Sequence, residues 1–433
     1  MASVRPFAAA RYSEVGPDIT PLVAPPYDVV SPVEREALLT VDPRNIVALE
    51  LPLGPTDPSV PGNRYQAAAA LWHAWRSSGV LATDPERAFY VLEQRYELDG
   101  ILVRRKALIA EVGLEPFSAG VVLPHERTLP KALGDRYELI KATAANFSQV
   151  FGLFDDAAGE TDELFARVLA HDASVCATDA DGVLSLLWIV TDPAVVAGFE
   201  QVLAQKRIFI ADGHHRYTTA LAYRDYRRGL AMAAGHTAAP GADYDFVMMA
   251  LVNMEDPDLI VLPTHRVARA AGDFDAAQFM TALKADFAVE PLADEDIDGA
   301  LDCVDRPTFL MAMRGDDLIY RVGLRESVDL ESRIDLPRSS AWKHLDVAVL
   351  QELILSPLLD IHPDRPETLD RLGFVKDARS ALTASSQNDV AFILRATRMD
   401  QLRAVATAGE TMPQKSTYFY PKMLSGLVMR SAD

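Results

Sequence analysis

The apolar positions of this chain change their period repeatedly, and the changes mark out the elements. Tyr65 to Trp75 is alanine-rich and sets Leu71, Trp72 and Trp75 on one helical stripe, which predicts a helix. Ala88 to Tyr96 alternates in part, Asp99-Gly100 is a tight-turn dipeptide, and Ile101 to Ile109 resumes the apolar run, so a β-hairpin is expected there. Val150–Phe154, Leu184–Val190 and Arg207–Asp212 read as short buried strands, with helices expected over 135–145 and 217–228 and further strands over 245–253 and 258–262. Near the start, Ala24-Pro-Pro-Tyr-Asp-Val is extended, because adjacent prolines fix φ and remove two donors. Ser31 followed by Pro32 and Glu34 then has the composition of an N-cap, a proline at N1 and an acidic first turn, predicting a helix over 32–40. Gly229 to Asp243 reads as a loop.

Strands alternating with helices predict an α/β, mixed α+β fold. After Phe274 the pattern resets to helix, strand, acidic helix, strand, a Gly315-Asp316-Asp317 turn and a last strand ending near Val322. Two domains are therefore expected, over 1–270 and over 271–433, the second a smaller α+β domain whose Lys415–Lys422 segment folds back toward the first. Glu326 to Trp342 reads as a surface connection. A length of 433 residues suits this division.

Charge narrows the partners. With 42 Lys+Arg against 62 Asp+Glu the formal net charge is −20, which disfavours a broad surface for nucleic acid and leaves room for a local phosphate site. Cys176 and Cys303 are too few for a zinc cluster or a disulfide framework and suit a reducing compartment. No segment offers a signal-like apolar core or the ~18 uninterrupted apolar residues of a membrane span, so a cytoplasmic protein without membrane contact is expected. A homodimer is compatible with the sequence and not required by it.

The densest chemistry is Ile210-Ala-Asp-Gly-His-His-Arg-Tyr217. It falls where a buried strand hands over to a helix, where backbone N–H groups lack intrahelical partners. Gly213 permits a sharp turn or a close ligand approach, and His214, His215 and Arg216 add donors at the positive helix end. Asp212 is read as a Mg²⁺ ligand, an orienting partner for a histidine, or an acceptor for a ribose hydroxyl. A merely capped helix with solvated histidines is the plainer alternative. A second cluster, Pro124-His-Glu-Arg-Thr-Leu-Pro-Lys131 with Asp135-Arg136, offers His125 and Glu126 for acid–base work and Arg127, Lys131 and Arg136 for anions. No histidine follows three residues after Glu126, so this is not a zinc-protease motif. In Met412–Lys422, Lys415 and Lys422 with two hydroxyls suit phosphate or a flat base, and the aromatics equally suit a core strand. Thr264-His265-Arg266 is either functional or a satisfied surface pair. P-loop, dinucleotide-fingerprint and nucleophile-elbow motifs are absent from the sequence.

Together with Ala24-Pro-Pro-Tyr-Asp-Val, the Pro124-His-Glu-Arg-Thr loop, Leu262-Pro-Thr-His-Arg and Pro413-Gln-Lys-Ser-Thr-Tyr-Phe, the Ala211-Asp-Gly-His-His-Arg-Tyr turn resembles the domain-of-unknown-function 1015 family, with five motifs in the family's order. The turn also resembles, more distantly, that of the ParB/sulfiredoxin superfamily, which includes partition proteins, sulfiredoxins and free-serine kinases. That resemblance implies a nucleotide-binding core with Asp212, Gly213, His214, His215 and Arg216 as the phosphate and metal site. Arg127, Lys415 and Lys422 are expected to add phosphate contacts. Glu126 is the candidate base with His125 beside it, and Tyr27, Asp28, Thr128, His265 and Arg266 complete the expected acceptor site. The turn lacks the cysteine needed for sulfinic acid repair, and the acidic charge disfavours a partition protein. The expectation is a kinase using ATP or ADP and Mg²⁺ on a small hydroxyl metabolite, free L-serine first. The alternative is a nucleotide-responsive binding protein without phosphoryl transfer.

Overall fold

The computed structural model describes the chain apart from Glu14 and residues 127–129, 237–240, 294–298, 303–304 and 386–388, together with the side chains of 130–133. The fold is mixed α+β and divides into two units. The first comprises Met1–Pro124, Thr128–Ile260 and Pro421–Asp433, and the second His125–Arg127 and Val261–Tyr420.

The first unit is built on a nine-stranded mixed sheet. The expected hairpin is present as Phe89–Leu98 and Ile101–Gly113, and both turn residues, Asp99 and Gly100, take the positive φ of a two-residue turn. Phe246–Asn253 lies antiparallel to the second hairpin strand and parallel to Val150–Phe154. Ile208–Asp212 follows, antiparallel to Val150–Phe154 and parallel to Val122–Leu123 at the sheet edge. On the other side of the hairpin come Leu184–Val190 and Val175–Thr178. A core of Phe89, Val91, Leu108, Val150, Phe154, Phe199, Ile208, Tyr217 and Leu251 holds helices against the sheet. Gly152 is needed in the middle of its strand, because a Cβ there would lie 2.8 Å from Met249 and 2.9 Å from Leu251.

Local chemistry set several of these elements as expected. Helix Pro32–Val41 carries a full capping box, Ser31 accepting from the Glu34 N–H and Glu34 accepting from the Ser31 N–H. Helix Arg64–Ser77 starts at an Asn63 cap and buries Trp72 and Trp75. The loop expected over 229–243 is shorter than its small residues suggested. Helix His214–Ala233 runs through Gly229, because Leu230, Ala231, Met232 and Ala233 are strong helix formers and outweigh one glycine.

The second unit contains a six-stranded antiparallel sheet in the order Phe287–Leu292, Ile319–Leu324, Thr308–Met313, Val390–Ile393, His265–Ala268, Leu372–Val375. Val267, Leu310, Ala391 and Ile393 lie in a core cluster completed by Leu301 and by Ala381 of helix Ala378–Ala384. The acidic helix expected after Leu292 falls largely outside the described residues. The connection at 326–342 contains two short helices, Leu330–Arg333 and Ser340–Lys343, capped by Asp329 and Ser339. Among the described residues no helix is long and apolar enough to cross a membrane.

Candidate functional site

Strand Ile208–Asp212 is buried through Ala211, and its pairing with Val150–Phe154 slips by one residue between Ile210 and Asp212. Such a bulge re-aims the side chain that follows it. Gly213 then takes φ 85° and opens helix His214–Ala233. Any larger residue is excluded twice there, by the left-handed backbone and by a Cβ that would sit 2.8 Å from Arg216 Nε. No side chain caps the helix, so its positive end carries no protein anion through a cap bond.

Around this turn the first unit gathers cations. Lys422 Nζ donates to Asp212 Oδ2 at 2.6 Å, the Gly213 N–H donates to Asp212 Oδ1 at 2.6 Å, and Arg216 Nη2 lies 3.9 Å from Oδ1. Burial works against the Asp212 charge, yet Lys422 and Arg216 outweigh it and hold the carboxyl well below the usual carboxylate range. Arg216 Nη1 donates to the Gln149 carbonyl, while Nε is buried with no hydrogen-bond partner. Segment Ala24–Tyr27 reaches the same place through a two-way backbone bridge between Ala24 and Ser425. The Arg136 guanidinium lies 4.3 Å from the Tyr27 ring centre and donates to the Glu50 carbonyl at 2.8 Å and to Glu50 Oε2 at 3.2 Å. Burial pushes the Tyr27 hydroxyl up, opposed by Arg216 and Arg136. His214 is buried, His215 is partly exposed, and Asp28 points to solvent.

Several residues that hold this arrangement were not singled out as site residues. Gln94 Nε2 donates to the Lys422 carbonyl at 3.1 Å, Gln149 Nε2 to the Leu424 carbonyl at 3.1 Å, and Arg105 Nη2 to the Pro421 carbonyl. Gln94 and Arg105 are cross-strand partners in the hairpin, bonded to each other and both about 1% exposed. A glutamine facing an arginine on a buried hairpin face was the available signal.

The second unit holds the other candidates. His125 is fully buried and shares a 2.9 Å hydrogen bond with Thr417 Oγ1. Glu126 pairs by backbone with Met412, and its Oε1 accepts the Ser416 N–H at 3.2 Å and lies 3.9 Å from His125 Nε2. Arg266 is 3% exposed and donates to the carbonyls of Thr264, Gln414 (3.1 Å) and Lys415 (2.9 Å). Its guanidinium therefore anchors the 413–416 loop. Lys415 itself is exposed, at φ 56°. His265 is buried on strand His265–Ala268, where its Nδ1 accepts the Leu394 N–H at 3.2 Å. Arg127 and Thr128 lie outside the described residues.

The donors at Asp212 do not suit the expected Mg²⁺. Both oxygens already accept hydrogen bonds, one from an ammonium, whereas Mg²⁺ requires open carboxylate oxygens in octahedral array. Among the described residues no group of three or more His, Cys, Asp or Glu side chains is placed to hold a metal ion.

No curated protein matches the chain. Among solved structures it is similar to a conserved hypothetical protein from Pyrococcus furiosus, at 13% identity and TM-score 0.33, over 72% of this chain and 90% of that one. A free serine kinase in complex with AMP is similar at 13% identity and TM-score 0.33, over 74% and 92%. SbnI with a C-terminal truncation, from Staphylococcus aureus, is similar at 12% identity and TM-score 0.34, over 73% and 85%. The model of the family described as "Protein of unknown function (DUF1015)" matches residues 4–348, most of the chain. The five motifs and this match agree, and the chain belongs to the DUF1015 family.

Proposed function

We propose that the protein is a small-molecule kinase that binds the phosphates of ATP or ADP at the Asp212–Arg216 turn and transfers a phosphoryl group to a hydroxyl metabolite, free L-serine being the first acceptor to test. One observation carries this reading: Lys422 and Arg216 flank Asp212 at an uncapped helix start, with Arg216 Nε buried and unpartnered. An N–H in that state costs stability unless a ligand completes it, and an anion at the positive helix end does so. Phosphoryl transfer asks mainly for such charge stabilisation and positioning. The acceptor oxygen forms a bond to the terminal phosphorus, the bridging P–O bond to the nucleotide breaks, and the hydroxyl proton passes to a carboxylate. Glu126 is assigned that proton on its chemistry. Arg266 takes no substrate role in this reading, because carbonyls occupy it.

The test is phosphorus NMR of the full chain with ATP or ADP and a panel of hydroxyl metabolites, beside calorimetric nucleotide titrations with and without EDTA. An acceptor-dependent phosphomonoester signal supports the kinase. Tight nucleotide binding without product from any acceptor replaces it with a nucleotide-responsive binding protein. No nucleotide binding overturns both. Because the Asp212 donors do not suit Mg²⁺, nucleotide binding is expected to survive EDTA.

A further inference from the structure

We propose that the second unit carries a ligand site of its own, for a small zwitterionic amino acid with an apolar side chain, in the cavity beside His265. The cavity measures about 600 Å³, within the range of small-molecule sites. Its apolar wall includes Leu301, Leu310 and Ile393, and its polar lining includes His265, Asp302 and Arg398.

His265 supplies the first reason for a ligand. The residue is 2% exposed, and because Nδ1 accepts the Leu394 N–H, the ring hydrogen of the neutral form resides on Nε2. Burial and then Arg266 lower the ring to about 4, against a small opposing pull from Asp377, so the neutral form holds at physiological pH. Among the described residues the Nε2–H has no partner. His265 lines the cavity, so its Nε2–H is a neutral donor available to a ligand carboxylate.

The charges select the ligand. Asp346 is taken up by Arg395 in two 2.8 Å bonds, and Arg398 is held at 3.1 Å by Asp400 outside the cavity. The Asp302 carboxylate, exposed at the rim, meets no cation among the described residues. With Asp302, Asp305 and Asp346 against Arg395 and Arg398, the lining is net negative, which disfavours a polyanion such as a nucleotide. A wholly apolar ligand would make no use of the His265 donor or of the Asp302 carboxylate. A zwitterion answers both: its carboxylate accepts from His265 and faces Arg398, its ammonium faces Asp302, and its side chain rests on Leu301, Leu310 and Ile393. The site is independent of the kinase reading, since every residue named belongs to the second unit.

The test titrates the full chain with the twenty L-amino acids by calorimetry. The best apolar ligand is then compared with its decarboxylated and deaminated analogues (for leucine, 3-methylbutylamine and 4-methylpentanoate). Loss of either charged group is expected to weaken binding about tenfold or more. Asp302→Asn, at an exposed position, should weaken the amino acid similarly and leave 4-methylpentanoate unchanged. The His265 Nε2–H resonance of ¹⁵N-histidine-labelled protein should shift on titration, and Lys422→Met should bind the amino acid normally. The proposal is overturned if no amino acid binds at millimolar concentration, if either analogue binds as tightly as its parent, or if the His265 resonance stays still at saturation.

Discussion

Replacing Lys422 by Met removes the ammonium from Asp212 and keeps the aliphatic stem. At 2.6 Å and an effective dielectric of about 20, the Coulomb attraction is ~6 kcal/mol. Desolvation of two side chains that keep 19% and 22% of their surface exposed offsets most of it, leaving a net effect of ~1–3 kcal/mol on folding. The pH dependence follows from the depressed Asp212 carboxyl. Its contribution is fully present above the unfolded value near 3.8 and is lost as pH falls toward the lower folded value. The variant's deficit should therefore be largest at neutral pH and shrink as pH falls below about 4, where Asp212 protonates in the unfolded chain while the folded carboxylate beside Lys422 stays ionised to lower pH. Phosphate binding should fall about ten- to a hundredfold, the worth of one charge-assisted bond, with added repulsion from the uncovered carboxylate. The double variant with Asp212→Asn should recover part of that loss. Denaturant unfolding at pH 7 and well below pH 4, with nucleotide calorimetry, on Lys422→Met, Asp212→Asn and the double variant reads both quantities. Unchanged nucleotide affinity per folded molecule in Lys422→Met would refute the phosphate site.

Glu126→Gln keeps its acceptor oxygen for Ser416 yet cannot take a proton, so turnover should fall by ~10²–10⁴ with nucleotide affinity nearly unchanged; full turnover removes Glu126 as the base. Gly213→Ala meets both a φ of 85° and Arg216 Nε, and should cost ~1–3 kcal/mol in denaturant unfolding while weakening nucleotide binding. A stable Ala variant with normal binding would show that the turn has room to relax. His265 is neutral when folded and protonates in the unfolded chain, so its contribution is present above pH 6.5 and disappears as pH falls toward about 4. Stability between pH 7 and 4 should drop less steeply in His265→Gln, as followed by urea midpoints, and an unaltered slope would contradict the neutral ring.

The features legible in the sequence were those fixed over a few residues. Ser31, Pro32 and Glu34 announced a helix start, and Asp99-Gly100 announced a hairpin turn. The strand-to-helix handover at Asp212–Gly213 was equally local, since a positive φ calls for glycine. Strands Leu372–Val375 and Val390–Ile393 were too short to show a period and take their places by pairing with His265–Ala268. Arg266 had the appearance of an acceptor-site residue because sequence shows a charge and hides the carbonyls that surround it. The partnership of Lys422 with Asp212 was expected only as a general folding-back of the C-terminal segment, because contacts across 210 positions have no local signature.

The order of segments along the chain has a consequence for how the protein is made. The sheet that presents Asp212 is complete by Ile260, but the first unit also needs Pro421–Asp433, which leaves the ribosome only after the whole of 261–420. Until then Glu111 lacks the buried Arg430 that pairs with it, and the hairpin glutamine and arginine lack the carbonyls of Pro421 and Lys422. A nascent or prematurely terminated chain thus carries the turn without its lysine. The Asp212–Lys422 pair at the turn is assembled only when the last residues have been made, so the finished turn is a product of complete synthesis.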